Sequence, residues 1–522
     1  MFSEVRVRVL FVVGAVLLAS AVFAPSSGAN VILGIHDGSP NACDNNENWV
    51  SDGMGGKRAA PMDGPAAQEA IDSSTLISGT PWWKGLNVAT VRFSVPWDIA
   101  LPDSPNASDR ALVTANDPSS PNPDHSWSNI HFQALKNEQT CLDWWLNAAM
   151  KAGQTAEVAF KPDYDYRQTQ FKRDRRRPAS TRILAPSISA YATAIRAFAA
   201  EYSRCGSAAA NSCMLRSGSA GPPGDVGARV HVISPWGEPD YQSDGGQGNS
   251  LTTPRGTVPR STEHFYVPYG GSTLDDPACQ KHGRGSTDPN WCGPVLAAQY
   301  YTAVYNACGP YCELTAGPAA TKLDSGIIAG DFSSGVGSRA GRVINTNGSS
   351  ATQDYWRTYS QHLNGIYAWT WGLHPYNDTS DWEYCTGNGH AYPPRGHYVS
   401  KTRQFADDLA SVGYRSATSI WLNEVSVYQR DMFRHSGGPS GCSGSTSYTP
   451  RREALAFQWL YRTLPTVVRR SGPQVSRVIY YRAYRQQDPL LRTLVPGQDT
   501  CLYEAIKQRD SLKPGTTPSG HC

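Results

Sequence analysis

The 522-residue chain carries little charge, and its two signs nearly cancel. Only 17% of its residues are Asp, Glu, Lys or Arg, and the formal net charge is +3 at pH 7. Proteins that bind nucleic acid usually present a strongly basic surface. The near-neutral balance therefore argues against nucleic acid as a partner.

The chain also lacks the short motifs that mark common cofactor and metal sites. It has no His-x-x-x-His motif and no tight box of Cys and His ligands, so a metal-dependent hydrolase is a distant alternative. No Gly-rich phosphate-binding fingerprint follows the first predicted strand, which argues against a doubly wound open sheet. We therefore expect neither a metal nor an organic cofactor.

Twelve cysteines are present, which is an even number. Without a ligand box among them, disulfides are a better interpretation than zinc, and disulfides are typical of exported proteins. Three pairs of neighbouring cysteines would close local loops, although sequence alone does not fix connectivity. They are Cys205–Cys213, Cys279–Cys292 and Cys308–Cys312.

Residues 1–29 have the organisation of a secretory signal peptide. Two arginines precede a short apolar run, and Ser27-Gly28-Ala29 is a candidate cleavage box. The run is shorter than the roughly 20 residues that a membrane span requires. We expect a secreted monomer with residues 30–522 as one domain and no stable membrane insertion. An uncleaved N-terminal anchor is the alternative.

No internal repeat is visible, but an apolar, strand-like run followed by a helical pattern recurs along the chain. The alternation predicts a (β/α)8 TIM barrel, a closed parallel sheet ringed by helices. The predicted strands are 31–36, 88–95, 155–160, 229–233, 326–331, 365–371, 419–423 and 475–481. The predicted helices are 129–151, 188–202, 294–306, 353–363, 399–410, 453–468 and 502–508. In this fold the segments after strands carry the active site; here they are long, aromatic and rich in Pro and Gly, at 96–128, 161–186, 236–293, 372–396 and 428–449.

Two of the predicted strands each deliver a glutamate. Glu238 follows the fourth strand beside Trp236, and Pro239 fixes the backbone just after it. Glu424 lies near the end of the seventh strand. Glycoside hydrolysis needs two carboxyl groups, one to protonate the leaving oxygen and one to attack the anomeric carbon or activate water. An apolar wall raises the pKa of a carboxyl group, which suits Glu238 to the acid role. The alternative is a surface loop whose glutamate has no role.

These two boxes resemble those of the clan A glycoside hydrolases, a superfamily of retaining (β/α)8 enzymes. Trp236-Gly-Glu-Pro239 stands where the superfamily has its acid/base, and Trp421-Leu-Asn-Glu424 where it has its nucleophile. The resemblance covers the whole predicted barrel and implies that Glu238 is the acid/base and Glu424 the nucleophile. It also implies a poly- or oligosaccharide substrate and a double-displacement reaction.

The same resemblance implies further substrate-binding residues. Arg92, on the second strand, matches an arginine beside the nucleophile and would favour the ionised carboxylate; a structural ion pair is an equal alternative. His374-Pro-Tyr376 matches a box after the sixth strand, and Tyr376 would donate a hydrogen bond to Glu424. Tyr484 is the candidate for the aromatic residue that floors the sugar site after the eighth strand.

Aromatic side chains in the segments after the strands suit a saccharide cleft, because flat rings stack on sugar C–H faces; core packing is the alternative. We expect Trp97, Trp236 and Trp371 to line the cleft and Trp369 to pack in the core. His36 and Asp331, at the ends of the first and fifth strands, are undecided between a site role and a structural role.

One position departs from the superfamily. Gly237 precedes Glu238 where the superfamily has an asparagine that binds the sugar 2-hydroxyl. The change is compatible with a substrate that lacks this group, with a donor from another loop, or with lost turnover. A saccharide-binding barrel without catalysis is therefore the second function hypothesis.

Overall fold

The computed structural model describes the chain in segments. These are residues 31–36, 49–51, 57–59, 76–77, 80–81, 86–101, 107, 127–161, 188–202, 230, 232–237, 239, 250–253, 256–259, 292–308, 326–333, 356–357, 359–387, 400–425, 449–481, 501–513, 515–518 and 522. The chain divides into two units, Met1–Val31 and Ile32–Cys522, and every element below belongs to the second. The predicted signal peptide lies outside the described residues. No helix within these segments is long and apolar enough to cross a membrane.

Eight parallel strands form a closed barrel. Each strand pairs with the next along the chain, and the last pairs with the first. The strands are β1 (Ile32–His36), β2 (Thr90–Pro96), β3 (Thr155–Lys161), β4 (Val232–Ser234), β5 (Gly326–Ser333), β6 (Thr370–His374), β7 (Ser419–Val425) and β8 (Gln474–Tyr481). This strand order confirms the predicted (β/α)8 fold, since parallel neighbours require crossover connections.

Helices provide the crossover connections from β2 onward. They are α1 (Trp127–Lys151), α2 (Ile188–Tyr202), α3 (Cys292–Cys308), α4 (Tyr376–Gly387), α5 (Lys401–Ser411), α6 (Pro450–Gln458) and α7 (Cys501–Lys507). α6 continues as a π-helical turn, Trp459–Thr463, and a 3-10 turn, Leu464–Val467. Between β5 and β6 the described helical residues are 356–357 and 359–361. Helices therefore accompany the strands much as the alternating pattern predicted.

The sixth strand begins later than predicted. β6 spans Thr370–His374 rather than 365–371. The alternation of Tyr367, Trp369 and Trp371 imitates strand periodicity before the strand begins. Tyr367 is 41% exposed, and its ring centroid lies 4.4 Å from that of Trp369. The aromatic alternation thus comes partly from surface packing ahead of the strand.

The segment 372–396, predicted as a loop, contains α4. Its residues Tyr376–Gly387 are mostly polar, so no apolar periodicity marks the helix. Buried Asp378 holds α4 in place, because its carboxylate accepts hydrogen bonds from the backbone N–H groups of Lys401 and Thr402 at 2.6 and 2.9 Å. These bonds satisfy free donors at the start of α5. The helix contacts β7, which places Tyr376 at the rim of the barrel.

The barrel interior combines an apolar cluster with a polar cluster. The apolar cluster takes one residue from each of four strands, which the inside of a closed barrel permits: Val232, Ile328, Trp421 and Ile479. The polar cluster comprises Arg92, Glu157, Ser234, Asp331, His374 and Asn423. The last four lie near the carboxyl ends of their strands, where (β/α)8 proteins build their sites. The fold therefore indicates that a functional site would lie at the carboxyl ends of the strands.

Candidate active site

Glu424 lies near the carboxyl end of β7 and is only 4% exposed. The pairing of β7 with β8 changes register between Leu422 and Val425. This irregularity lets two consecutive residues, Asn423 and Glu424, both reach the interior. A buried carboxylate is tolerated only with partners, and three other elements supply them.

Three side chains surround the carboxylate of Glu424. Tyr376 donates a 2.5 Å hydrogen bond to Oε1. His36 Nδ1 lies 3.3 Å from Oε2, and His374 Nδ1 lies 3.9 Å from the same oxygen. Burial by itself would raise the pKa of Glu424, but His374, His36 and Arg92 together hold it well below its usual value. Glu424 is therefore an ionised carboxylate, the form that a nucleophile requires.

Arg92 forms its direct ion pairs with two other carboxyl groups. Its Nη2 lies 2.7 Å from Asp331 Oδ2, and its Nε lies 3.4 Å from Glu157 Oε1. Its Nη1 donates a 2.6 Å hydrogen bond to the backbone oxygen of Asn423. Burial would lower the pKa of Arg92, but Asp331 and Glu157 raise it above its usual value. The direct contacts of Arg92 are therefore those of a structural ion pair. The charge of Arg92 lowers the pKa of Glu424 through space.

Asp331 occupies a distorted part of β5. The pairing of β5 with β6 changes register between Gly330 and Phe332, and Asp331 there has φ +58, a left-handed conformation that is uncommon outside glycine. Gly372 on β6 provides space for it, because a Cβ at that glycine would lie 2.8 Å from the Asp331 Cα. The distortion turns the carboxylate into the polar cluster.

The Asp331 carboxylate joins four other strands. It contacts Arg92 Nη2 at 2.7 Å, Ser234 Oγ at 2.7 Å, His374 Nε2 at 2.8 Å and Asn423 Nδ2 at 2.9 Å. Burial would raise the pKa of Asp331, but Arg92 and His374 hold it far below its usual value. Asp331 is thus a permanent negative charge beneath Glu424.

Glu157 adds another carboxyl group to the cluster, and its pKa is raised, whereas that of Asp331 is lowered. Asn423 Nδ2 donates to its Oε1 at 2.7 Å, while Oε2 has no hydrogen-bond partner among the described residues. Burial outweighs the attraction of Arg92 and raises the pKa of Glu157 to about 7. Glu157 therefore carries a proton under acidic conditions. Asp331 is then the main counter-ion of Arg92.

Two predicted site residues, Glu238 and Tyr484, lie outside the described residues. The distance between Glu238 and Glu424 therefore stays a prediction. The described aromatic residue at the end of β8 is Tyr481, whose ring centroid lies 4.9 Å from that of His36. Tyr481 thus borders the site near the position that the sequence assigned to Tyr484.

The chain just before Glu238 reaches the same polar cluster. Gly237 donates its backbone N–H to the carbonyl oxygen of Phe160 at 2.9 Å. A Cβ at Gly237 would lie 3.9 Å from Arg92 Nη2 and 4.0 Å from Asp331 Oδ2. The end of β4 and the end of β7 therefore approach one cluster from two sides.

The three tryptophans predicted to line the cleft are buried in packing contacts. Trp97, Trp236 and Trp371 are 5%, 2% and 0% exposed. Trp236 stacks on Tyr300 of α3 at 5.2 Å between centroids, and Trp97 lies 6.4 Å from Tyr191 of α2. Both rings thus contact the helix layer, and their place in a saccharide cleft stays a prediction.

Trp371 is fully buried on β6, and its ring lies among other buried aromatic rings. Those rings are Phe332, Tyr359, Phe405 and Tyr414. Trp371 and His374 are three residues apart on β6, so their side chains point to opposite faces of the strand. The predicted strand ended at Trp371 and did not include His374.

Sequence reasoning brought together Arg92, His374, Tyr376 and Glu424, and the structure places them in one cluster. His36 and Asp331, undecided from sequence, also contact it. Ser234, Asn423 and Glu157 were missed. A signal existed for Glu157, since it is the lone carboxylate of its strand and lies between Ala156 and Val158, where a charge requires partners.

Comparison with known proteins gives little further guidance. No protein-family model matches the chain, and no curated protein sequence matches it. Among solved structures, one match is an exo-beta-1,4-mannosidase from Opitutaceae bacterium strain TAV5, with 9% sequence identity and a TM-score of 0.35. The match covers 92% of this chain and 60% of the mannosidase, so the chain spans less than two thirds of that protein's length.

Proposed function

We propose that the chain is an exported glycoside hydrolase that cleaves a poly- or oligosaccharide by double displacement. The observation that carries the proposal is the state of Glu424. It is ionised and buried at the carboxyl end of a barrel strand, and its contacts are a phenol and two imidazoles. The guanidinium of Arg92 is committed to Asp331 and Glu157. Glu424 is therefore a charged carboxylate that remains available for attack.

In the proposed reaction Glu424 attacks the anomeric carbon while Glu238 protonates the departing oxygen. The bond between the anomeric carbon and the leaving oxygen breaks, and a glycosyl-enzyme ester forms on Glu424. Glu238, now a carboxylate, removes a proton from water, which attacks the anomeric carbon and releases Glu424. Loss of the negative charge on Glu424 in the ester lowers the pKa of Glu238, so that one residue serves both steps.

Tyr376 would act on the charge that appears and disappears at Glu424. Its 2.5 Å hydrogen bond to Oε1 is charge-assisted in the free enzyme. The bond weakens as the carboxylate becomes an ester and strengthens again when the ester is hydrolysed. The phenol thus keeps Glu424 ionised and oriented between turnovers.

Disulfide bonding supports the exported part of the proposal. Cys501 and Cys522 form a disulfide across a sequence separation of 21 residues. Cys141 and Cys385 each take part in a disulfide as well. Disulfides form and persist in oxidising compartments.

The test compares the secreted protein with Glu424→Gln and Glu238→Gln on a panel of aryl glycosides and polysaccharides. We expect each variant to lose at least about a thousandfold in kcat, because each removes a group that reacts. Glu504→Gln is the matched control, since Glu504 is a buried carboxylate on α7 bonded to Lys507 and Gln508. It should retain full turnover.

Two results would contradict the proposal. Unchanged turnover in Glu424→Gln would remove Glu424 from the reaction. An inverted anomer as the first product, observed by proton NMR, would rule out double displacement. A wild-type protein that binds saccharides but turns none over would instead favour the binding barrel suggested by Gly237.

A further inference from the structure

The backbone of β5 is shaped around one side chain that the proposed reaction does not use. Asp331 has φ +58 and follows Gly330, which has φ +79. A residue with a side chain is strained in this region of backbone conformation. Gly372 supplies the space, since a Cβ there would lie 2.8 Å from the Asp331 Cα and Oδ1. Such a conformation persists only where the surroundings hold it in place.

The groups that hold Asp331 are hydrogen-bond donors. Oδ2 accepts from Arg92 Nη2 and Ser234 Oγ, both at 2.7 Å. Oδ1 accepts from Asn423 Nδ2 at 2.9 Å and contacts His374 Nε2 at 2.8 Å. An ionised carboxylate accepts at both oxygens and satisfies all four groups, whereas an amide would turn its own N–H groups toward two of them. The site therefore selects a charged acceptor at this position.

His374 connects this acceptor to Glu424. Because a carboxylate can only accept, the 2.8 Å contact with Asp331 places a proton on His374 Nε2. The opposite ring nitrogen, Nδ1, then faces Glu424 Oε2 at 3.9 Å. Arg92 Nη1 also lies 3.3 Å from Nε2, and Asp331 Oδ1 lies within hydrogen-bond distance of both donors. The negative charge of Asp331 stabilises the close approach of the two donors, Arg92 Nη1 and His374 Nε2.

We propose that Asp331 is a positioning residue for the nucleophile. It holds His374 with its proton on Nε2 and its Nδ1 edge toward Glu424, and it holds Arg92 against the backbone oxygen of Asn423. The inference rests on the proposed function, because it takes Glu424 as the nucleophile. A base or nucleophile whose neighbour is oriented by a third, buried carboxylate is a recurrent arrangement in catalysis. Here the third group reaches the site from β5.

The first test reads the imidazole of His374 and needs no substrate. The variant is Asp331→Asn, because asparagine tolerates positive φ and has the same shape. Nitrogen-15 NMR of histidine-labelled protein, assigned with His374→Asn, reports which ring nitrogen carries the proton. We expect Nε2 to be protonated in the wild type and to lose that proton, partly or fully, in Asp331→Asn. The same protonation pattern in both proteins would overturn the proposal.

The second test separates positioning from a general structural role. Asp331→Asn should lower kcat by about 10-fold or more and leave KM within about threefold, since ground-state binding is not its task. The matched control is Asp143→Asn, a buried carboxylate that accepts from the Tyr202 hydroxyl at 2.8 Å between two outer helices. It should leave both constants unchanged. An unchanged kcat in Asp331→Asn would overturn the proposal.

A third variant keeps the test decisive if Asp331→Asn does not fold. Ser234→Ala removes one donor to Oδ2 and leaves the charge in place, so kcat should fall by about threefold with KM unchanged. No change in kcat would again overturn the proposal. Loss of turnover in Glu424→Gln together with normal kcat in the Asp331 and Ser234 variants would refute this inference alone. Normal turnover in Glu424→Gln would refute the proposed function itself.

Discussion

Glu157→Gln should change how the stability of the fold depends on pH. Glu157 is fully buried, and burial raises its pKa from 4.5 to about 7 although Arg92 opposes the change. Because the folded-state pKa lies above the unfolded one, the folded chain binds this proton more tightly. The stabilisation is complete below about pH 4.5 and is lost as the pH rises through about 7. The glutamine variant carries no such proton.

The expected size follows from the two pKa values. The difference between 4.5 and about 7 corresponds to about 3 kcal/mol of unfolding free energy. At acidic pH the amide imitates a protonated carboxyl group, so the two proteins should have similar stability. At pH about 8 the variant should be more stable than the wild type by about 3 kcal/mol, since it avoids a buried charge that Arg92 only partly compensates.

The assay is urea unfolding of both proteins, with disulfides intact, at intervals between about pH 4.5 and 8. The other titrating groups are common to both chains and largely cancel in the difference. Glu504→Gln, which removes a half-solvated ion pair on α7, serves as control and should show no such rise. A difference that stays flat, or that falls with pH, would mean that Arg92 outweighs burial and that the reasoning is wrong.

Two further predictions concern the site and its support. Tyr376→Phe removes the 2.5 Å hydrogen bond to Glu424; a bond to a charged group contributes about 1.5–3 kcal/mol, so the acid limb of the kcat/KM profile should move to higher pH by roughly one unit or more. An unmoved limb would contradict this role. Gly372→Ala should cost about 1–3 kcal/mol in urea unfolding, because its Cβ would lie 2.8 Å from Asp331. Gly326→Ala, whose Cβ would meet nothing within 4 Å, is the control, and equal losses in both variants would refute the packing argument.

The barrel could be predicted from the sequence because its strands and helices leave different apolar periods. The helix at Ile188–Tyr202 and the strand at Thr155–Lys161 were placed within a residue of their ends. α4 could not be predicted, since its sequence is mostly polar and its position depends on Asp378 bonding across to α5. The predicted start of β6 was too early because aromatic residues ahead of the strand continued its alternation.

The candidate site was only partly predictable, for geometric reasons. Glu424 and Tyr376 belong to short motifs of chemically reactive residues. Such motifs can be recognised in a sequence without knowing the register of the strands. Asp331 required knowledge of a left-handed residue, which sequence reveals only when glycine occupies the position. The facing direction of Trp371 relative to His374 required knowing that β6 extends to His374. Residues whose role depends on strand register or on a bulge therefore cannot be predicted from the sequence alone.

The guanidinium of Arg92 and the carboxylate of Asp331 stand 239 residues apart in sequence, and Arg92 reaches the backbone of Asn423 across 331. β2 contributes this guanidinium, and β5 and β7 contribute Asp331 and Glu424, whose carboxyl pKa values are held low. The shortest contact of Asp331 with a cation therefore crosses from one half of the barrel to the other. A barrel recombined between β4 and β5 would separate Arg92 from Asp331 and so remove the closest counter-ion of a buried carboxylate.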